Sequence, residues 1–266
     1  MSKKKDIVEN DGILEDNLSS LIIESLNKKF KDIGQIAYFL GEDDDPSSII
    51  EWISTGCDSL DINISNRKDG GLPVGRLTEI SGMESSGKTL MAAHILASTQ
   101  KKGGLAIFIE SENSLDNTFL NAVGVDTNKS KFVHIALDAI EDILATIESV
   151  IVKVRESDKD KLVTIVVDSI AAATTKTELA TDYDKAGYNT TKAIVLSQGL
   201  RKLMPMMAKQ RICLVFINQL RSKVGVLTPG ADPYTTPGGK AIPFHASVRI
   251  RLKTKGKIKA PINDVS

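Results

Sequence analysis

Only two of the 266 residues are cysteine, Cys57 and Cys213, and they lie far apart, outside any metal-ligand spacing. That excludes a disulfide-stapled secreted scaffold and a zinc ribbon, and leads us to expect reduced thiols in a cytoplasmic protein. No stretch reaches the roughly 18 consecutive apolar residues of a membrane-spanning helix, so no membrane partner is expected. The opening Met1-Ser2-Lys3-Lys4-Lys5 runs into acidic residues rather than an apolar segment, unlike a secretory leader. Excess charge of either sign is missing as well: 34 Lys and Arg face 34 Asp and Glu. A chain without net basicity can hold nucleic acid only through local patches. Internal repeats are also lacking, which argues against a solenoid.

What is present is a length and an apolar content, 41%, that suit one large α/β domain with a small appendage. Residues 1–17 are polar. Leu18, Leu21, Ile22 and Leu26 then recur at helical spacing, with Phe30 closing the stripe. The acidic run Glu42-Asp43-Asp44-Asp45 before Pro46 predicts a surface loop. We therefore expect a tail and helix region over 1–46 and an α/β core over 47–266. In the core, strands are expected at Leu77–Ile80, Leu105–Ile109, Phe132–Ile135, Leu162–Val167, Ile212–Ile217 and Ser247–Leu252, the last continuing into the basic residues beyond. Helices are expected at Lys88–Thr99, at Leu115–Val123, along the stripe Ile140, Ile143, Leu144, Ile147, Ile151, and from about Lys192 to Lys209. Alternating strands and helices predict a mainly parallel, twisted sheet with helices on both faces.

Gly82-Met83-Glu84-Ser85-Ser86-Gly87-Lys88-Thr89 fits G-x-x-x-x-G-K-[ST] between a predicted strand and a predicted helix. Glycines let the backbone curl so that successive N–H groups point at phosphate oxygens, and the helix amino terminus adds partial positive charge. Lys88 can reach the β and γ phosphates of a nucleoside triphosphate, and the Thr89 hydroxyl can ligate Mg²⁺. Asp168, closing the apolar run Val163-Thr164-Ile165-Val166-Val167, is the candidate second metal ligand, with a plain helix cap as the alternative. Either Glu110 or Glu112 could orient and polarise the attacking water; spacing alone does not choose between them.

Taken together these residues resemble the RecA recombinase family, from about Ile23 to Leu252. The shared phrases are Ser54-Thr55-Gly56 with Ser59-Leu60-Asp61, Gly71-Leu72-Pro73-Val74-Gly75-Arg76, and Glu84-Ser85-Ser86-Gly87-Lys88-Thr89. Leu115-Asp116, Val166-Val167-Asp168-Ser169, Phe216-Ile217-Asn218-Gln219-Leu220-Arg221, Gly238-Gly239 and Ala246-Ser247-Val248-Arg249 continue the series. The resemblance implies a RecA-like P-loop core. It puts Glu112 on the catalytic glutamate, Gln219 on the glutamine that senses the γ-phosphate, and Asp116 and Phe119 against adenine.

The same resemblance implies two DNA-binding loops. The first spans roughly Glu178–Asn189, with Tyr183, Lys185, Gly187 and Tyr188. The second spans roughly Leu220–Lys240, with Arg221, Lys223, Gly225, Tyr234, Thr235, Thr236, Gly238, Gly239 and Lys240. Arg and Lys would neutralise phosphates while glycines let the backbone approach them. Arg201 is placed near DNA, and Leu18, Ile22, Leu26 and Phe244 on subunit interfaces whose non-closing repetition builds a helical filament. The expected activity is a DNA-dependent ATPase that coats single-stranded DNA and pairs it with a homologous duplex in recombination and repair. A repair ATPase or ring helicase, and a filament regulator that hydrolyses ATP poorly, remain alternatives. Departures from the family are the insert Ser65–Gly70, Lys240 and Pro243 in place of commoner residues, and an end at Ser266 before the family's small C-terminal domain and cross-subunit lysines. The basic tail Arg249, Arg251, Lys253, Lys255, Lys257, Lys259 precedes those lysines, and we expect a truncated core. A phage-encoded relative fits these departures.

Overall fold

A computed structural model of the chain describes residues 18–41, 45, 48–112, 115–180, 188–208, 210–223 and 232–256. Tyr183, Lys185, Gly187, Gly225, Lys257 and Lys259, and most of the acidic run, lie outside them. The chain divides into two compact units, residues 1–48 and 49–266. In the first, helix α1 (18–29) is followed by a 3₁₀ turn, Lys31–Ile33. Asn27 holds the returning chain, accepting from the N–H groups of Ile36 and Ala37 and donating to the Ala37 carbonyl. Leu18, Leu21, Ile22 and Leu26 are exposed on α1.

The second unit begins with β1 (Trp52–Ile53), α2 (Asp58–Ser65) and β2 (Leu72–Pro73), the two short strands pairing antiparallel. No element was expected here, because two-residue strands carry no readable alternation. The motif residues Ser54, Thr55 and Asp61 prove to be a structural knot: buried Asp61 accepts from the Thr55 N–H at 2.8 Å and the Thr55 hydroxyl at 2.7 Å. Then follow β3 (Leu77–Gly82), α3 (Lys88–Lys101), β4 (Leu105–Glu110), α4 (Asn117–Val123), β5 (Phe132–Ala136), α5 (Ile140–Ser157), β6 (Val163–Asp168), α6 (Lys176–Leu179), α7 (Tyr188–Ala208), β7 (Ile212–Gln219), β8 (Arg221–Ser222), β9 (Tyr234–Thr235), α8 (Ala241–His245) and β10 (Ala246–Leu252).

Six strands form one all-parallel sheet in the order β10-β3-β7-β6-β4-β5, as the alternation predicted. Strict alternation along the central strands splits the core into two layers. Ile107, Ile109, Val163, Ile165, Val167, Ile212, Leu214 and Phe216 pack with α5 and α7 on one face. Ala106, Phe108, Val166, Cys213, Val215 and Ile217 pack with α3 on the other. Both faces are covered, so the strands read as continuous apolar runs. Burying side chains this size contributes roughly 1.5–3 kcal/mol each.

Four expectations need correction. β10 stops at Leu252 instead of running on, since its partner strand ends at Gly82, opposite Leu252, and no ladder remains beyond. α4 starts at Asn117 rather than Leu115, because Asp116 caps it by accepting from the Thr118 N–H at 2.9 Å. α7 begins at Tyr188, four residues before Lys192. The first loop does not run directly from a strand end to α7: a one-turn helix, α6, opened by a Thr175–Glu178 capping box, intervenes.

Candidate nucleotide and DNA site

The carboxyl ends of β3, β7, β6 and β4 lie side by side, and each delivers one candidate residue. β3 leads into the glycine-rich loop, β7 ends at Gln219, β6 at Asp168, and β4 two residues before Glu112. Ligands bind at this end of open parallel sheets. β3 and β4, successive in the chain, are separated by two strands in the sheet, so long-range pairing assembles the site.

The loop 82–89 has the geometry of an anion cradle. Ser85 and Gly87 adopt positive φ, +55° and +92°. Gly82 admits no side chain: a Cβ there would stand 2.3 Å from Ser86 Oγ and 3.0 Å from the Leu252 carbonyl. Ser86 Oγ is itself buried with no hydrogen-bond partner among the described residues. Lys88 is buried at the amino end of α3, and its Nζ donates to the Met83 carbonyl across the loop at 2.8 Å. A cavity of about 290 Å³ is lined by residues 85–90. Phosphate oxygens suit an unpartnered hydroxyl, an ammonium and a helix amino terminus.

Thr89 Oγ1 donates to Asp168 Oδ2 at 2.7 Å. Burial raises the Asp168 carboxyl pKa most; the Thr89 hydrogen bond opposes this, the Glu112 charge adds to it, Lys88 opposes and Glu110 adds. A cation bound beside Asp168 would favour its charged form against that burial. No group of three His, Cys, Asp or Glu able to hold a metal occurs among the described residues. One hydroxyl and one carboxylate instead match Mg²⁺, which keeps waters and is bound largely through nucleotide phosphates.

The two carboxylates at the end of β4 part company. Glu110 is buried, pairs with His134 Nε2 on β5 at 2.6 Å and accepts from the Leu115 N–H at 3.1 Å. Glu112 is exposed and faces the site: its Oε1 accepts from Ser169 Oγ at 2.9 Å and lies 3.5 Å from Gln219 Nε2. Its loop is stitched to the end of β6, with the Ser111 N–H donating to the Asp168 carbonyl and Ser111 Oγ to the Ser169 carbonyl. Of the adenine candidates, Asp116 spends one carboxylate oxygen on capping α4, and Phe119 is half-buried against the α3 side of the core. No hydrogen bond links either to the loop 82–89 among the described residues.

The described residues of the second DNA-loop candidate include the antiparallel pair β8–β9, with Arg221 opposite Thr235. Arg221 and Lys223 are exposed; the Lys223 N–H donates to the Pro233 carbonyl and its Nζ to the Asp232 carbonyl. Gly238 and Gly239 have φ of +95° and +63°, and a Cβ on Gly238 would meet Leu196 at 2.7 Å, so the turn itself requires glycine. Arg201 and Lys240 line one groove with Thr190, Ala193 and Ile194. Phe244, 83% exposed in the last turn of α8, meets the His245 ring edge-to-face at 5.1 Å.

Sequence reasoning passed over Ser169 and Asn218 as site residues. The Asn218 Nδ2 donates to Glu79 Oε1 at 3.0 Å and to the Pro237 carbonyl at 3.1 Å, while its Oδ1 accepts from the Gln219 N–H. Asn218 thereby joins the glutamine to the second loop. A polar residue ending an apolar strand run was the available signal.

A family model of the RecA N-terminal domain matches residues 18–266. The chain is 44% identical over 210 residues to Protein RecA of Clostridium acetobutylicum, covering 79% of this chain and 56% of that protein. It is 40% identical over 211 residues to Protein RecA of Aquifex pyrophilus, covering 79% and 56%. Against Protein RecA of Heliobacterium modesticaldum it is 36% identical over 244 residues, covering 92% and 66%. The chain thus spans little more than half the length of the first two relatives. No helix among the described residues is long and apolar enough to cross a membrane.

Proposed function

Because the chain belongs to the RecA family, we propose that it is a cytoplasmic DNA-dependent ATPase that assembles on single-stranded DNA and pairs that strand with a homologous duplex. The observation that carries this reading is the row of Lys88, Thr89, Asp168, Glu112 and Gln219 along one edge of the sheet, with β7 running from Gln219 straight into the glycine-bearing second loop.

In this reading the N–H groups of residues 82–89 and the Lys88 ammonium hold the phosphates of ATP, with Asp116 and Phe119 on the adenine side. Thr89 and Asp168 hold Mg²⁺, which when bound neutralises charge on the phosphate oxygens. Glu112, steadied by Ser169, orients and polarises the attacking water. Gln219, whose amide can donate to a terminal phosphate, loses that partner on hydrolysis and passes the change through Asn218 to the second loop. Arg201, Arg221, Lys223 and Lys240, with the turn at Gly238 and Gly239, hold the DNA backbone and leave base edges open to a second strand. Leu18, Ile22, Leu26 and Phe244 supply apolar contacts between neighbouring copies in a helical filament.

The test is ATP turnover measured with and without single-stranded DNA, beside electron microscopy of the same samples. Stimulated turnover together with open filaments supports the reading; closed rings, or turnover indifferent to DNA, overturn it. Lys88→Ala should abolish nucleotide-dependent assembly.

A further inference from the structure

The apolar stripe that seats α7 on the sheet runs Leu196, Leu200, Leu203, Met207, and one turn before it, at the same face, stands Lys192. Lys192 is 7% exposed. No carboxylate lies within ion-pair distance of its ammonium among the described residues. Burial of such a charge is costly, and a Leu or Met would continue the stripe without that cost.

What Lys192 holds is the chain leaving the nucleotide site. Its Nζ donates to the Ala171 carbonyl at 3.1 Å and to the Ala173 carbonyl. Those two alanines lie three and five residues beyond Asp168, in the turn that starts with Ser169, the donor to Glu112. The same turn is anchored on both sides, by the Ile170 N–H to the Ile217 carbonyl on β7 and by the Thr174 N–H to the Asp138 carbonyl. It then enters α6, whose Glu178 opens the first loop candidate, and α7 resumes after that loop. The charges facing Lys192 are Glu178 on α6 and Arg221 on β8, one at the base of each loop.

We propose that Lys192 is a positioning residue that ties the turn after Asp168 and Ser169 to the start of α7, so that both DNA-loop bases and the nucleotide site move as one unit. The inference rests on the ATPase reading above and adds a second route of coupling beside Gln219. Burial, reinforced by Arg221 and opposed by Glu178, pushes the Lys192 ammonium down to about 8. Above that pH the neutral amine still donates, but its hydrogen bonds lose the strength that charge confers.

The experiment is the ratio of ATP turnover with saturating single-stranded DNA to turnover without it, from pH 7 to 9, for the unaltered chain and Lys192→Met. In the unaltered chain the ratio should fall as pH rises, with a midpoint near 8. In Lys192→Met the ratio at pH 7 should drop about 3- to 30-fold, with DNA-free turnover unchanged and no step near pH 8. An unchanged ratio in Lys192→Met, or a pH step that survives it, overturns the proposal. Should Lys192→Met fail to fold, the unaltered chain decides alone: a flat ratio through pH 8 overturns the inference. Turnover indifferent to DNA at every pH would instead overturn the ATPase reading itself.

Discussion

The Thr89 hydroxyl donates a 2.7 Å hydrogen bond to Asp168 Oδ2, joining the first turn of α3, which follows β3, to the end of β6, a strand that does not pair with β3. The bond pre-sets the two oxygens proposed to hold Mg²⁺. Thr89→Val keeps the shape and removes the donor, leaving a largely buried carboxylate one bond short. We expect a stability loss of about 1–3 kcal/mol in urea titrations, and Mg²⁺-dependent ATP turnover at least about 100-fold down.

Glu112, unlike the buried Glu110 two residues before it, is exposed toward the site. Glu112→Gln preserves size and the contact with Ser169 but cannot take up a proton from water. Turnover should fall about 10²- to 10⁴-fold, while nucleotide binding, followed by a fluorescent ATP analogue, stays within about twofold of the unaltered chain. Turnover surviving this substitution would remove Glu112 from its proposed role.

Much of this architecture was legible beforehand, and the limits of legibility have physical causes. The runs Val163-Thr164-Ile165-Val166-Val167 and Ile212-Cys213-Leu214-Val215-Phe216-Ile217 announce strands covered on both faces, and the α5 stripe from Ile140 to Ile151 lies as its spacing predicts. The loop 82–89 is readable because its chemistry is local. Spacing alone did not separate Glu110 from Glu112, since the bond that sets Glu110 apart comes from His134, 24 residues away on an edge strand. Glu79, wholly buried between Arg249 and Asn218, was equally invisible: an acid inside a strand reads as solvent-facing until the partners 170 and 139 residues off are known. Lys192 was legible only as the approximate start of a helix, because its carbonyl partners at Ala171 and Ala173 lie about 20 residues away.

The two thiols should behave as different chemical species. Cys57 is exposed just before α2, whereas Cys213 is sealed inside β7, where burial pushes the thiol up to about 12 against a weaker opposing hydrogen bond involving Thr164. A thiol-specific chromogenic reagent at pH 8 should therefore titrate one group per native chain. The second should react only at the rate of unfolding, because the thiolate is the nucleophile. Between pH 9 and 12 the folded state keeps this proton while the unfolded state releases it. The stabilisation is fully present below pH 9 and is lost as pH climbs, by about 1.4 kcal/mol per pH unit from this group.

His134 offers a test of how the loop carrying Glu112 is held. Its Nε2 meets the Glu110 carboxylate at 2.6 Å from the neighbouring strand, and the other Glu110 oxygen accepts from the Leu115 N–H, so the carboxylate pins both ends of the segment 111–115. Glu110 is 4% exposed, so its oxygens take their hydrogen bonds from such donors rather than from water. His134→Leu fills much of the same space without a donor and should cost about 1–3 kcal/mol in urea titrations. It should also raise the KM for ATP more than it lowers kcat, because Asp116 and α4 hang from that segment while Glu112 keeps its own bond to Ser169. His134→Gln restores an N–H at similar reach and should recover most of both losses. Equal behaviour of the Leu and Gln variants would mean that the ring matters only for its bulk, and that Glu110 is held by other donors.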